Sequence, residues 1–228
     1  MIDAFEKVPV QIFPSTNEGS VFVASEIATL IKAKAAKNEA CVLGLATGST
    51  PIKLYQELVR LHKEEGLSFK NVITFNLDEY FPIEADAPQS YWSFMHKHLF
   101  NHIDIDPKNI HIPSGKWPKD DIKKYCAEYD AAIVHAGGID LQILGIGGNG
   151  HIGFNEPGSS IISKTRLVNL ANNTRLANAY EFSHLSKVPR LAVTMGIGTI
   201  MQSKRILLMA FGNKGEIITK ATEGDVTE

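Results

Sequence analysis

Three short stretches carry residue types able to do chemistry, and each follows an apolar run. FNLDEYF (75–81) sets two adjacent acids, Asp78 and Glu79, between apolar neighbours at the end of a strand-like segment. A carboxylate flanked in this way is partly desolvated, which raises its pKa and makes it a better base toward a carbon acid. A helix cap or surface turn pair would look the same locally. GIGGNGHIGFNEPG (145–158) gathers Asn149, His151, Asn155 and Glu156. His151 with Glu156 forms an imidazole oriented by a carboxylate, suited to moving a proton near neutral pH. LATGSTP (45–51) places Thr47, Gly48, Ser49 and Thr50 between an apolar run and a helix starting at Pro51. Successive N–H groups, hydroxyls and a positive helix end make an anion site there.

Gly145, Gly147 and Gly150 also fit the G-x-G-x-x-G pattern of a dinucleotide-binding turn. The third glycine of that pattern should open a helix, with an acid about 20 residues on for the ribose. Here Gly153, Pro157 and Gly158 oppose a helix, and TRLVNLAN (165–172) contains no acid, so the dinucleotide reading fails. TGST has no G-K-[ST] ending, which excludes a nucleotide P-loop. His98 and His102 are spaced for a shared metal but lack the acid of H-E-x-x-H, and histidines at a helix end complement its dipole instead. Lys214, in FGNKGE after a strand, is placed to meet an anion at the same sheet edge.

The elements that must position these residues alternate between two periods. Strands are predicted at VQIF (10–13), CVLGLA (41–46), NVITFNL (71–77), IHI (110–112), IDLQILGIG (139–147), LAVTM (191–195) and RILLMAF (205–211). Between them lie a helix capped by Ser15 or Thr16 with Val21, Ala24, Ile27, Ala28 and Ile31 inward, and one from Pro51 with Ile52, Tyr55, Leu58 and Val59 inward. Further helices are expected at 90–100, at 120–136 and from Lys214. The alternation implies a three-layer, Rossmann-like α/β fold: a mostly parallel sheet with helices on both faces, and ligands at the strands' carboxyl ends. Residues 158–190 are the longest stretch without a buried element and read as a lid over a single domain spanning 1–228.

Composition bounds the partners. A chain of 228 residues suits one core. The balance of 23 Lys plus Arg against 25 Asp plus Glu gives no field that would recruit nucleic acid or an anionic membrane, which leaves a small ligand. No apolar run reaches the ~20 residues of a membrane span, and MIDAFEKVPV lacks the layout of a signal peptide, so a cytoplasmic location is expected. Cys41 and Cys126 are expected to be reduced, with no disulfide framework.

Taken together, LGLATGSTP, VITFNLDEYF, QSYWSFM, LGIGGNGHIGFNEPGS, SKTR, NNTR and the Lys214 segment resemble the glucosamine-6-phosphate deaminase (isomerase) family, over nearly the whole chain and in the family's order. The related 6-phosphogluconolactonases would carry a GHTASLFP-like sequence where this chain has GHIGFNEP. The resemblance implies an aldose–ketose isomerisation coupled to loss of ammonia. Asp78 would be the base moving a proton from C2 to C1. His151 would open the sugar ring, tuned by Glu156 and Asn149. Thr47, Gly48, Ser49, Thr50, Arg175 and Lys214 would hold the sugar 6-phosphate, with no metal or organic cofactor. It allows a homo-oligomer. A galactosamine-6-phosphate isomerase, a related sugar phosphate isomerase and a non-catalytic sugar phosphate sensor are the alternatives.

Three departures accompany the resemblance. Many members read T-R-x-A-N-A-R-F-F where this chain reads TRLANAYEF (174–182), with Tyr180 in place of an arginine used on the phosphate. Arg166 fits a position used by allosteric members, but Val168 stands where they have a lysine, which argues against control of that type. The family usually continues past VTE, so a truncated or differently terminated form, with an exposed sheet edge as a hazard, is expected.

Overall fold

The computed structural model describes residues 7–225, so the first six residues and the chain end at Glu228 lie outside the described part. Five short strands form a wholly parallel sheet: β1 (Cys41–Leu45), β2 (Val72–Asn76), β4 (Ile110–His111), β5 (Leu141–Leu144) and β8 (Ile206–Leu208), in the order β4-β2-β1-β5-β8. The chain builds outward from β1 through β2 to β4, then crosses back to β5 and β8. The order therefore reverses between β1 and β5, which opens a crevice at their carboxyl ends.

Alternation along β1 splits the core. Cys41, Leu43 and Leu45 pack against α1 (Thr16–Ala35), α2 (Ile52–Glu65) and α3 (Tyr91–His98), while Val42 faces Tyr129 and Ile133 of α4 (Ile122–His135) and Ile200 of α6 (Ile197–Ile200). Helices thus cover both faces, as the alternation implied. Ser15 caps α1 by accepting the Glu18 N–H at 3.2 Å, and its hydroxyl donates to the Glu18 carboxylate at 3.1 Å. Val23 takes the inward place expected of Val21, which is 40% exposed. Both cysteines are free and buried, and no described helix is long and apolar enough to cross a membrane.

The sequence reading misses a second sheet. β3 (Asp78–Phe81), β6 (Arg166–Asn169) and β7 (Leu191–Thr194) form an antiparallel ladder in the order β3-β7-β6. DEYF is therefore strand rather than loop, and LAVT belongs outside the parallel sheet. Leu77 joins the two sheets: its N–H donates to Leu45 O at 3.1 Å, and its carbonyl accepts the Met195 N–H at 2.7 Å.

Two further expectations are corrected. VQIF (10–13) pairs with no strand; Ile12 is 89% exposed, and Pro9 and Pro14 bracket the segment, so no sheet edge is offered to it and its alternation buries nothing. The stretch 158–190 is not free of elements. β6 runs through it, followed by α5 (Asn172–Asn178), and Leu170, Phe182 and Val188 are buried against Tyr80 and Phe154.

Candidate active site

The crevice between β1 and β5 deepens into a cavity of about 610 Å³, lined by the loops after β1 and β5, the start of β3, α3 and the chain from Thr174 to Glu181. Thr47, Gly48, Ser49 and Thr50 all line it, immediately before α2. Tyr55 fixes the start of that loop by donating its hydroxyl to Ala46 O at 2.5 Å. On the opposite loop Lys214, the residue before α7 (Gly215–Glu223), donates Nζ to Ile146 O at 2.7 Å and faces the same space. Hydroxyls, the start of a helix and one ammonium thus line the same cavity, groups with the chemistry to hold an anion.

The two adjacent acids take opposite roles because successive strand residues point to opposite faces. Glu79 turns away from the cavity and accepts the N–H groups of Tyr80 at 2.9 Å and of Tyr91 and Trp92 at 3.0 Å, which caps α3. Burial pushes its carboxyl up to about 7 against the pull of those three hydrogen bonds. Asp78 faces the cavity, 5% exposed, with no hydrogen bond to its carboxylate among the described residues. Burial, then the Glu79 charge, pushes it up to about 8. Gly153 permits this close fit, since a Cβ there would lie 3.0 Å from Asp78 Oδ2 and Thr194 Oγ1.

His151 lies flat against Gly147, where a Cβ would come within 2.2 Å of the ring. Its Nδ1 is 2.6 Å from Asn149 Oδ1, and Asn149 Nδ2 donates to Glu156 Oε2 at 2.8 Å. Glu156 Oε1 also accepts the Thr174 hydroxyl. The chain of bonds fixes a tautomer. An ionised Glu156 only accepts, so the Asn149 amide nitrogen must face it and the amide oxygen must face the imidazole; Nδ1 then carries the hydrogen, and Nε2 keeps its lone pair. Burial, opposed by Glu156 and aided by Lys214, lowers the imidazole's pKa and so favours its neutral form.

Asn149 and Glu156 stand behind His151 and do not line the cavity. Sequence reasoning paired His151 with Glu156 directly, but their closest approach is 3.9 Å and Asn149 lies between. Asn155 ties the loop to the second sheet, donating to Met195 O at 2.7 Å and accepting from Arg166 Nη1 at 2.8 Å.

Arg175, expected at the phosphate, is corrected: its guanidinium donates to Leu185 O at 3.0 Å and Val188 O at 3.1 Å, and it does not line the cavity. Helical phase explains the error. Thr174 and Asn178, four apart on α5, share the face turned to the cavity, and Arg175 falls off it. Gln89, Tyr91, Phe94, Asn178 and Glu181 line the cavity and were given no role from sequence. The i, i+4 spacing of Thr174 and Asn178 was the available signal. No group of three His, Cys, Asp or Glu suited to a metal occurs among the described residues.

Known proteins share this architecture. A family model described as glucosamine-6-phosphate isomerases/6-phosphogluconolactonase matches residues 14–228. A glucosamine-6-phosphate deaminase of Lysinibacillus sphaericus is 52% identical over 188 residues, covering 82% of this chain and 78% of that protein. A glucosamine-6-phosphate deaminase-like protein of Bacteroides thetaiotaomicron is 43% identical over 229 residues; the match takes in 100% of this chain, which spans only 34% of that relative's length. Among solved structures, a monomeric glucosamine-6-phosphate deaminase superposes with a TM-score of 0.91 at 44% identity, covering 96% of this chain and 89% of that one.

Proposed function

Because the chain belongs to the glucosamine-6-phosphate isomerase/6-phosphogluconolactonase family, we propose that it is an enzyme that converts glucosamine 6-phosphate and water to fructose 6-phosphate and ammonia. The observation that carries this reading is Asp78, a buried carboxylate with its pKa pushed up to about 8, facing one cavity with His151 and the anion site.

The steps follow from the groups present. The substrate's phosphate lies against Thr47–Thr50 and Lys214. His151 Nε2 takes the proton from the C1 hydroxyl as the ring bond breaks and passes it to the ring oxygen, which exposes the C1 aldehyde. Asp78 then removes the C2 proton as the substrate's ammonium gives up a proton to O1, forming an enolamine across C1 and C2, and Asp78 returns its proton to C1. The resulting C2 imine adds water and releases ammonia, leaving the ketose. A base near neutral pKa suits both halves of the transfer, since it must accept a proton from carbon and give it back. Hydride and electron transfer play no part, so these side chains can carry every step. The stretch from α5 to Glu181 forms one wall of the cavity and is the part of 158–190 that would move aside to admit substrate.

Ammonia release from glucosamine 6-phosphate, with fructose 6-phosphate followed in parallel, tests the reading. Equimolar appearance of both is expected; silence on this substrate with turnover of galactosamine 6-phosphate would reassign the sugar. Lys214→Ala is expected to raise KM by about 10–100-fold with a smaller change in kcat, because a charge-assisted contact to the phosphate is made in ground and transition states alike. Steady-state kinetics check this, and an unchanged KM would remove Lys214 from the phosphate site.

A further inference from the structure

The charge balance of the cavity does not suit a ligand that is anionic throughout. Among the described lining residues the acidic side chains are Asp78 and Glu181, and the single Lys or Arg is Lys214. Asp78 has a use as the base. Glu181 has none in the steps above, and it is not incidental. It is half-buried on the cavity wall, and the Tyr180 hydroxyl donates to its Oε1 at 2.8 Å. That bond gives the carboxylate a set direction, while Tyr180 itself is 77% exposed at the rim.

Glu181 shares the cavity wall with Asp78 and Tyr91. Tyr91, which lines the cavity, has its phenol pushed well up by burial and then by nearby groups that include Tyr80, Asp78 and Glu181. Both carboxylates therefore act on Tyr91. The anion site lies elsewhere, on the loops after β1 and β5, where Thr50 adjoins Gly145 and Lys214 bonds Ile146 O. A carboxylate on the wall of a cavity that holds a phosphate costs affinity unless the ligand offers it a positive charge. On an amino sugar phosphate, that charge is the C2 ammonium, adjacent to the proton that Asp78 removes.

We propose that Glu181, held in place by Tyr180, is a specificity-determining residue that pairs with the substrate's ammonium group, so that the cavity selects an amino sugar phosphate over its hydroxyl analogue. The inference rests on the deaminase reading and deepens it. Glu181 reads the leaving amine before chemistry begins, and Tyr180 is a positioning residue that acts through it.

The test is calorimetric binding of glucosamine 6-phosphate and glucose 6-phosphate to the whole chain carrying Asp78→Asn, so that the amino sugar is not consumed, with wild-type residues at 180 and 181 as the reference, at about pH 6.5, where a sugar ammonium is still protonated; ammonia release is measured with Asp78 intact. The reference is expected to prefer the amino sugar. Glu181→Gln should weaken glucosamine 6-phosphate by about tenfold and leave glucose 6-phosphate within about twofold, erasing the preference. Tyr180→Phe should reduce the preference by roughly threefold. A ratio unchanged across the three proteins, or equal weakening of both ligands, would overturn the inference. Binding preference without ammonia release would keep it and reject the deaminase; absence of binding by either sugar phosphate to the reference would overturn both.

Discussion

Asp78→Asn is expected to lower kcat for ammonia release by about a thousandfold or more, near the upper end of what a single general base contributes, while fructose 6-phosphate still binds. The amide preserves the shape of the carboxyl but cannot accept a proton from carbon. The pH dependence of the native chain provides a second readout. Only ionised Asp78 is a base, so kcat/KM should rise with pH through about 8, the value to which burial and the Glu79 charge push it. Retention of more than about a tenth of the activity in the variant would show that another group takes the C2 proton.

The same substitution should stabilise the fold, and the sign is decided by linkage. The folded-state pKa of Asp78 lies above its unfolded value, so between about pH 4 and 8 the native state binds more protons than the unfolded one, and stability falls as pH rises through that window. The neutral variant escapes this loss. Its Tm should match that of the native chain below about pH 4 and exceed it increasingly as pH rises, by roughly 10 °C at pH 8, a few kcal/mol in a chain of this size. A gap independent of pH would show that Asp78 ionises in the fold as easily as in water. Loss of activity with gain of stability is the signature of a carboxylate held in an unfavourable place for its chemistry.

His151→Gln carries the second large effect, an expected fall in kcat of about 10²–10⁴-fold. The reason lies in the relay from Glu156 through Asn149, which presents the lone pair of Nε2 and leaves glutamine no way to reproduce a shuttle of protons between two sugar oxygens. The loss should fall on ring opening alone. Substrate deuterated at C2 distinguishes this: any isotope effect seen with the native chain should fade toward unity in the variant, because proton abstraction from carbon no longer limits the rate. A persistent or larger effect would place His151 in the carbon chemistry itself. A fall in fructose 6-phosphate affinity equal to the fall in kcat would make it a binding group instead.

Much of this was legible in the sequence where burial is continuous. CVLGL and LQIL read as strands because they are buried on both faces, and the loops that follow them fall at the reversal of strand order. The second sheet was hidden for a physical reason. RLVN is partly exposed, DEYF begins with two acids, and their pairing depends on registers such as Asp78 with Thr194, more than a hundred residues apart. VQIF shows the converse, since a β-like pattern does not make a strand without an edge to join. Within the site, Asp78, His151 and Lys214 lie on the cavity as expected, but Asn149 could not be seen to lie between His151 and Glu156, because nothing in the order of residues reveals which way a loop folds back. Arg175, assigned to the phosphate through the family resemblance because Tyr180 replaces the usual arginine, lies off the helix face that lines the cavity, which the order of residues does not reveal.

Leu77 is bonded on one side to the parallel sheet and on the other to the antiparallel one, and the base follows it immediately. The consequence is a division of labour in how such a catalyst can change over time. The residues proposed to hold the phosphate, on the β1 loop and at Lys214, belong to the parallel half, whereas the cavity wall from Thr174 to Glu181, proposed to meet the sugar, follows β6 of the antiparallel half. With Asp78, the proposed base, seated at the seam, inherited variation in the antiparallel half would redirect the preferred sugar without altering the proposed phosphate contacts or displacing the base.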